Sequence, residues 1–433
     1  MKTAPTLYKT EPLQSWQKAK ELRMAHYREV MEARDKGKII VTGGTEGFIV
    51  LPSGLGEYVY LGSEPLGATI GSDPLLSVQC AEALESHAFS RDICAYLRNY
   101  LGAMYLNKFP FGGSFPRPTF ALQLHFCDTH AKWHQIVSEH YHIPYFAIDF
   151  PLGSIKHFKE EKVNYVVAQI LDSIEWMEKI TGRKYDDALL IEALRNEFKS
   201  CSLWGEICLM NRAIPAPLEQ KSLLSLYVIA VLIRHKKESV DFYTMLRDEV
   251  KHRVDNHIAA LATERCRLLD DSQPPWHFLE IYRYLGKYGA VAIGSQYSFS
   301  LSGGYEELPD GTWGIKKTPE EAGRPMKTRE DAARELARWY FERPAIDGMV
   351  YPHVRSQLLQ MMVKEWKCDG VILHLNRGCE LTAMGQMENR LALVQAGIPV
   401  MTYESNMADS RELNREQVLD RVDAFMASLD LKS

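Results

Sequence analysis

Apolar positions recur along this chain at two different spacings, and the spacing changes along its length. Between Trp16 and Arg34 they follow a helical period inside a charged stretch, which predicts an amphipathic helix over residues 14–36. Lys38 to Val41 is a short β-branched run that leads to Gly43, Gly44 and Gly47, the pattern of a strand entering a glycine turn. The glycines are not spaced as G-x-G-x-x-G and no clear βαβ unit follows, so a nucleotide-binding fingerprint is not supported. Ser90 reads as the N-cap of a helix running to Tyr105. Residues 111–118 are rich in Gly and Pro and read as a loop. TFALQLHF, from Thr119, is a strand; Asp128 and Thr129 cap the next helix, to Tyr141; PYFAIDF, from Pro144, is a second strand closed by Pro151. Strand, helix and strand in this order form a βαβ unit and imply a parallel sheet.

From Lys162 to Ile258 the period is helical, with segments at Val163–Ile180, Asp187–Lys199 and Ser222–Arg234. The α/β pattern then returns. Trp276–Leu285, Arg329–Phe341, Val354–Trp366, Leu381–Gln395 and Arg415–Leu429 read as helices; Ala290–Gly294, Val371–Leu375 and Pro399–Tyr403 read as strands. Residues 302–328 are polar with many Gly and Pro, a long loop of the kind that serves as a lid. The sequence strand, cysteine, helix occurs at Cys127 and again at Cys379. These patterns predict an α/β protein with two Rossmann-like or flavodoxin-like parallel-sheet domains. The expected divisions are a helical segment over 1–37, a first α/β domain over 38–160, a helical connector over 161–270 and a second α/β domain over 271–433.

Composition narrows the function classes. A length of 433 residues exceeds what one core usually fills. Fifty-six acidic against 51 basic residues give a net charge of −5, which argues against nucleic acid as a partner. The longest apolar run, Leu223 to Ile233, stops at Arg234, short of the ~20 residues that span a membrane. Met1 to Thr10 lacks the apolar core of a signal peptide, so a cytoplasmic chain is expected. The 8 cysteines are too dilute for a disulfide framework, which suits a reducing compartment.

Three of those cysteines stand where chemistry is expected. Cys127 and Cys379 each follow a strand and precede a helix, and open parallel sheets place ligands beyond the carboxyl ends of their strands. Cys94 falls in the first turns of the helix read from Ser90. Helix N-termini stabilise thiolates and anionic clusters. The competing reading is three buried small apolar residues. Packing also accounts for Cys80, for Cys201 and Cys208 on one helix face, for Cys266 in a helix, and for Cys368 before a strand. Three thiolates suit either zinc with a fourth ligand or a [4Fe–4S] cluster that keeps one iron open.

At these residues the chain resembles the family of 2-hydroxyacyl-CoA dehydratases and ATP-dependent benzoyl-CoA reductases. The matching segments are SRDICAYLRNYLGAM from Ser90, LQLHFCDTHAKW from Leu122, CDGVILHLNRGCE from Cys368 and GIPVMTYESNMADSRE from Gly397. LPSGLGEYVYLGSEPLGATIG, from Leu51, is similar to the family's early segment. The resemblance implies that Cys94, Cys127 and Cys379 hold a [4Fe–4S] cluster. It implies a second cluster-bearing subunit, a separate ATPase that injects low-potential electrons, ferredoxin as indirect donor, and an acyl-CoA substrate. No G-x-x-x-x-G-K-[ST] or D-x-G-[ST] motif is present, so ATP hydrolysis is assigned to other subunits. Within the family, FPRPTFALQLHFCDTH and the length are most similar to the larger non-ATPase subunit of the reductases, which reduce the aromatic ring to a cyclohexadiene-carbonyl thioester. A dehydratase subunit with a ketyl-radical mechanism, or a non-catalytic assembly subunit, are the alternatives.

His130, His134 and Glu404 are the candidate proton donors. The two histidines are four apart on one helix face near Cys127, and Glu404 follows the last strand. His125 and His374 sit inside strands and read as structural. Arg377 reads equally as a partner for the cluster, a CoA phosphate or a carboxylate and as a solvated loop residue; Asn406 and Asp409 follow the last strand at a pocket position, and Asp409 reads equally as a helix cap.

Overall fold

The computed structural model describes residues 7–44, 48–152, 159–344, 348 and 351–432. Gly47, in the expected glycine turn, lies outside them. Eight parallel strands form two four-stranded sheets. The first contains β1 (Ile39–Gly43), β2 (Tyr58–Gly62), β3 (Phe120–His125) and β4 (Tyr145–Asp149), in the order β2-β1-β3-β4. The second contains β5 (Cys266–Asp271), β6 (Ala290–Ser295), β7 (Gly370–Asn376) and β8 (Val400–Ser405), in the order β6-β5-β7-β8. Counted within each sheet, both orders are 2-1-3-4. The expectation of two parallel-sheet domains holds, and the two share one topology. In each, chain direction reverses between the first and third strands, which opens a crevice at their carboxyl ends.

The strands are apolar because helices cover both faces: every residue of β1, β2, β5 and β6 is buried. Four helices, Lys159–Thr181, Asp187–Met210, Gln220–Ile233 and Lys237–Asp255, connect the sheets. Asp186 and Glu219 cap the second and third by accepting backbone N–H groups. Ser15–Glu32, the first helix, packs on Gln220–Ile233.

Several local expectations are corrected. Cys266 opens strand β5, not a helix. Arg and Leu favour helix, but this segment pairs with β6 on one side and β7 on the other, and burial between neighbours overrides propensity. β5 therefore starts within the stretch read as connector. β1 does enter a parallel pair, with β2, through a crossover whose described part holds only the 3-10 turn Leu51–Leu55. The helix read from Ser90 begins at Ala95; the Ser90 hydroxyl accepts the Asp92 N–H at 3.1 Å, a local turn that ends before the helix starts. Leu381–Gln395 is two helices, Glu380–Ala383 and Gln386–Gln395, separated at Gly385, whose φ is +81°. The loop over 302–328 contains a hairpin, Tyr305–Glu307 with Trp313–Ile315, whose buried Tyr305 and Trp313 stack 4.6 Å apart. It packs into the core and does not line the cavity described below. Among the described residues no helix is long and apolar enough to cross a membrane.

Candidate functional site

Cys94, Cys127 and Cys379 are each the N-cap residue of a helix: Ala95–Tyr105, Asp128–Tyr141 and Glu380–Ala383. Cys127 comes two residues after the end of β3 and Cys379 three after the end of β7, the equivalent strand of the other sheet. The backbone amides of Tyr96 and Leu97 face the Cys94 sulfur, that of His130 faces Cys127, and that of Thr382 faces Cys379. Cysteine is not a favoured N-cap residue, so helix stability does not explain its presence three times.

Gly378 sets the cysteine loops against each other. Its φ is +75°, and a Cβ there would lie 2.7 Å from the Ile93 carbonyl oxygen. Only glycine lets the loop before Cys379 rest on the loop before Cys94. All three cysteines line one cavity of about 250 Å³. The second sheet supplies Asp271, Ser272 and Gln273 at the end of β5, and the first supplies Phe126 and Cys127 after β3.

The electrostatics differ from sulfur to sulfur. Burial pushes the Cys94 thiol well above its ordinary pKa, and the neighbouring Cys379 and Cys127 push it the same way. Burial also raises Cys379, against the Thr382 hydroxyl, which donates to its sulfur at 3.1 Å. Burial would raise Cys127 too, but the adjacent His130 more than offsets it and the thiol is lowered. His130 in turn is desolvated, yet Cys127 and Glu64 hold its pKa well above the ordinary imidazole value. Its Nε2 lies 2.8 Å from Glu64 Oε1.

A buried network steadies the Cys379 side. Arg355 Nη2 donates to Asp271 at 2.9 Å, its Nη1 donates to the Thr382 carbonyl at 2.7 Å, and Gln386 donates to Asp271 at 3.0 Å. Aromatic side chains supply much of the remaining wall, among them Tyr96, Trp133, Trp276 and Tyr297. The Trp276 indole donates to the Tyr96 hydroxyl, which donates to Gln273 at 3.2 Å.

The other sequence candidates fall elsewhere. Of the three proposed proton donors only His130 lines the cavity. His134 is fully buried against Trp133, with its pKa pushed down to about 3 by burial. Glu404 pairs with Arg377 at 2.6 Å on the exposed surface. His125 shares a hydrogen bond of 2.9 Å with Tyr145, and His374 one of 2.6 Å with the Gln273 carbonyl. Asn406 donates to the Arg377 carbonyl. Asp409 takes the cap role, accepting the Arg411 N–H at 3.0 Å, and holds Arg98 at 2.9 Å. Reading by segment overlooked Glu64, Arg355, Asp271 and Arg23, all of which line the cavity. For Glu64 a signal was present: an acidic residue in the first turn of the helix that follows β2.

No group of three His, Cys, Asp or Glu side chains among the described residues is arranged to hold a single metal ion. A mononuclear site needs its sulfurs about 2.3 Å from one centre. A cubane binds each thiolate through a different iron, so its ligands need not meet at one centre.

Comparison with known proteins bears on this cavity. Residues 65–429 match the model of the 2-hydroxyglutaryl-CoA dehydratase D-component family, a stretch that includes all three cysteines. The (R)-2-hydroxyisocaproyl-CoA dehydratase alpha subunit of Clostridioides difficile is 24% identical over 363 residues, covering 82% of this chain and 81% of that one. The (R)-phenyllactyl-CoA dehydratase alpha subunit of Clostridium sporogenes is 24% identical, covering 79% and 78%. A benzoyl-CoA reductase subunit of Thauera aromatica is 23% identical, covering 80% and 79%. With the family match extending over most of its length, the chain belongs to the 2-hydroxyglutaryl-CoA dehydratase D-component family.

Proposed function

We propose that this chain is the cluster-bearing, thioester-binding subunit of an enzyme that delivers single electrons to an acyl-CoA. The observation that carries the reading is the convergence of three N-cap cysteines, two from one parallel-sheet half and one from the other, on one cavity. Cys94, Cys127 and Cys379 would hold a [4Fe–4S] cluster. When bound, it supplies a low-potential electron and one iron without a protein ligand. The chain's own residues do the rest. Helix amides and the Thr382 hydroxyl stabilise charge on the sulfurs. The His130–Glu64 pair holds a proton beside Cys127. Phe126, Trp133, Trp276 and Tyr297 exclude water and give an acyl group an apolar seat.

The aromatic wall supports benzoyl-CoA reduction as the reaction, with this chain as the larger non-ATPase subunit. Dehydration of a 2-hydroxyacyl-CoA is the second reading, supported by the dehydratase alpha subunits among its relatives. In either, a second cluster-bearing subunit, a ferredoxin-fed ATPase and the acyl-CoA are the proposed partners. Anaerobically purified protein is expected to be brown, with about four irons per chain. Replacing Cys94, Cys127 and Cys379 together by Ser should leave it colourless, and full iron retention in that variant refutes the site. Turnover of benzoyl-CoA against a 2-hydroxyacyl-CoA, with the cognate ATPase present, separates the two reactions.

A further inference from the structure

The cavity is lined by three cationic side chains, and two of them are committed. His130 is held by Glu64 at 2.8 Å, and Arg355 by Asp271 at 2.9 Å. Arg23, from the helix Ser15–Glu32, lines the same cavity, and no acidic group among the described residues pairs with it. Its Nε is buried and has no hydrogen-bond partner among the described residues. An unsatisfied buried donor is destabilising, and an incoming acceptor removes that cost.

Its position along the cavity is also defined. The helix Ser63–Gly71 and the Ser72 that follows it present Glu64, Pro65, Ala68, Thr69 and Ser72 to the cavity, one stripe at helical spacing. Glu64 stands at the cysteine end, on His130; Ser72 is eight residues on, about 12 Å along the axis at ~1.5 Å per residue. Arg23 lies one turn before Tyr27, whose hydroxyl is 3.5 Å from Thr69 Oγ1. The helix that carries Arg23 therefore packs against the middle of this stripe. The hydroxyls nearby are already donating: Thr69 to the Pro65 carbonyl at 2.8 Å, Ser72 to the Thr69 carbonyl at 2.7 Å, and Ser225 to the Lys221 carbonyl at 3.0 Å. Of the cationic side chains that line the cavity, the Arg23 guanidinium is the one with no acidic partner among the described residues.

We infer that Arg23 recognises an oxyanion carried by the thioester substrate, forking onto it while the reactive carbonyl sits at the cysteine end. The inference rests on reading the cavity as a thioester site. The anion has two possible sources, a phosphate of coenzyme A or a carboxylate on the acyl chain, and guanidinium binds both in the same planar geometry.

Calorimetric binding to the full-length chain, purified with its native partner subunits, tests this with benzoyl-CoA, benzoyl-pantetheine and 2-hydroxyglutaryl-CoA. Arg23→Gln is expected to weaken one class of ligand by about tenfold or more. A loss for both CoA esters, with neutral benzoyl-pantetheine unaffected, assigns the phosphate; a loss for 2-hydroxyglutaryl-CoA alone assigns the carboxylate. Arg23→Lys, which keeps the charge without the fork, should recover part of the affinity. Equal affinity of wild type and Arg23→Gln for every ligand overturns the inference and leaves the thioester reading standing. So does a uniform loss that includes benzoyl-pantetheine, because that marks a structural role. Wild-type protein that binds none of the three overturns the thioester reading and the inference with it.

Discussion

Serine at position 94, 127 or 379 would cap its helix better than the cysteine found there, since a hydroxyl accepts the free N–H groups more strongly than a thiol. Replacing Cys94 alone by Ser should therefore leave the iron-free protein as stable as wild type, or more stable by up to about 1 kcal/mol, while bound iron falls. Urea denaturation beside iron analysis checks both halves; lost stability with unchanged iron would mark Cys94 as a packing residue. Gly378→Ala attacks the same place through the backbone. The positive φ and the 2.7 Å approach to Ile93 should together cost about 2 kcal/mol or more and lower iron content, read as midpoint and metal stoichiometry. His134→Phe should do the reverse. Both its ring nitrogens are buried without partners among the described residues, so an apolar ring of similar shape should hold or raise the melting temperature without touching turnover. Cys127 and Cys379 were legible in the sequence because strand, cysteine, helix is a local pattern, and Cys94 because a helix follows it. Glu64 and Arg23 were not, because what gives them meaning is a partner, or a missing partner, that only the folded chain brings near.

Helices were the most legible elements. The segments around Val163, Asp187 and Ser222 show a clear period; the structure shifts the ends of the first and third by a few residues at most and runs the second on to Met210. The strands β3 and β4 were read from their apolar runs, while β2 and β5 were missed. CRLLDD became β5 through its two neighbours, and YVYLG became β2 by pairing with β1 over five residues. Between the second and third connector helices lies an ion pair invisible to segment reading: Arg234 Nε is 3.0 Å from Glu197 Oε1, with both side chains fully buried. Arg234→Met leaves a buried carboxylate without its cation and should cost about 3–5 kcal/mol. Glu197→Gln with Arg234→Met together should recover much of that in the same denaturation assay, because no buried charge then remains.

Across the whole molecule, the shared 2-1-3-4 strand order is the feature that only coordinates could establish, since no sequence repeat is evident along the chain. At the end of β5, burial raises the Asp270 carboxyl to about 8, while Tyr282 donates to it at 2.6 Å. The folded chain thus keeps a proton that the unfolded chain releases above about 4. Stability from this group is full below that pH and is lost as pH rises toward 8. Asp270→Asn, which imitates the protonated acid, should flatten the fall in melting temperature between pH 5 and 8, and an unchanged slope would rule this group out as its source. The Gly378 contact has a last consequence. Two of the three sulfurs ride on one half and the third on the other, with the two loops touching at Ile93 and Gly378. A small rotation of one half against the other would leave both sheets whole and every helix capped, yet pull the trio apart. The halves thus work like the two jaws of a vice, and their mutual alignment, more than either fold, is what sulfur chemistry at this seam requires.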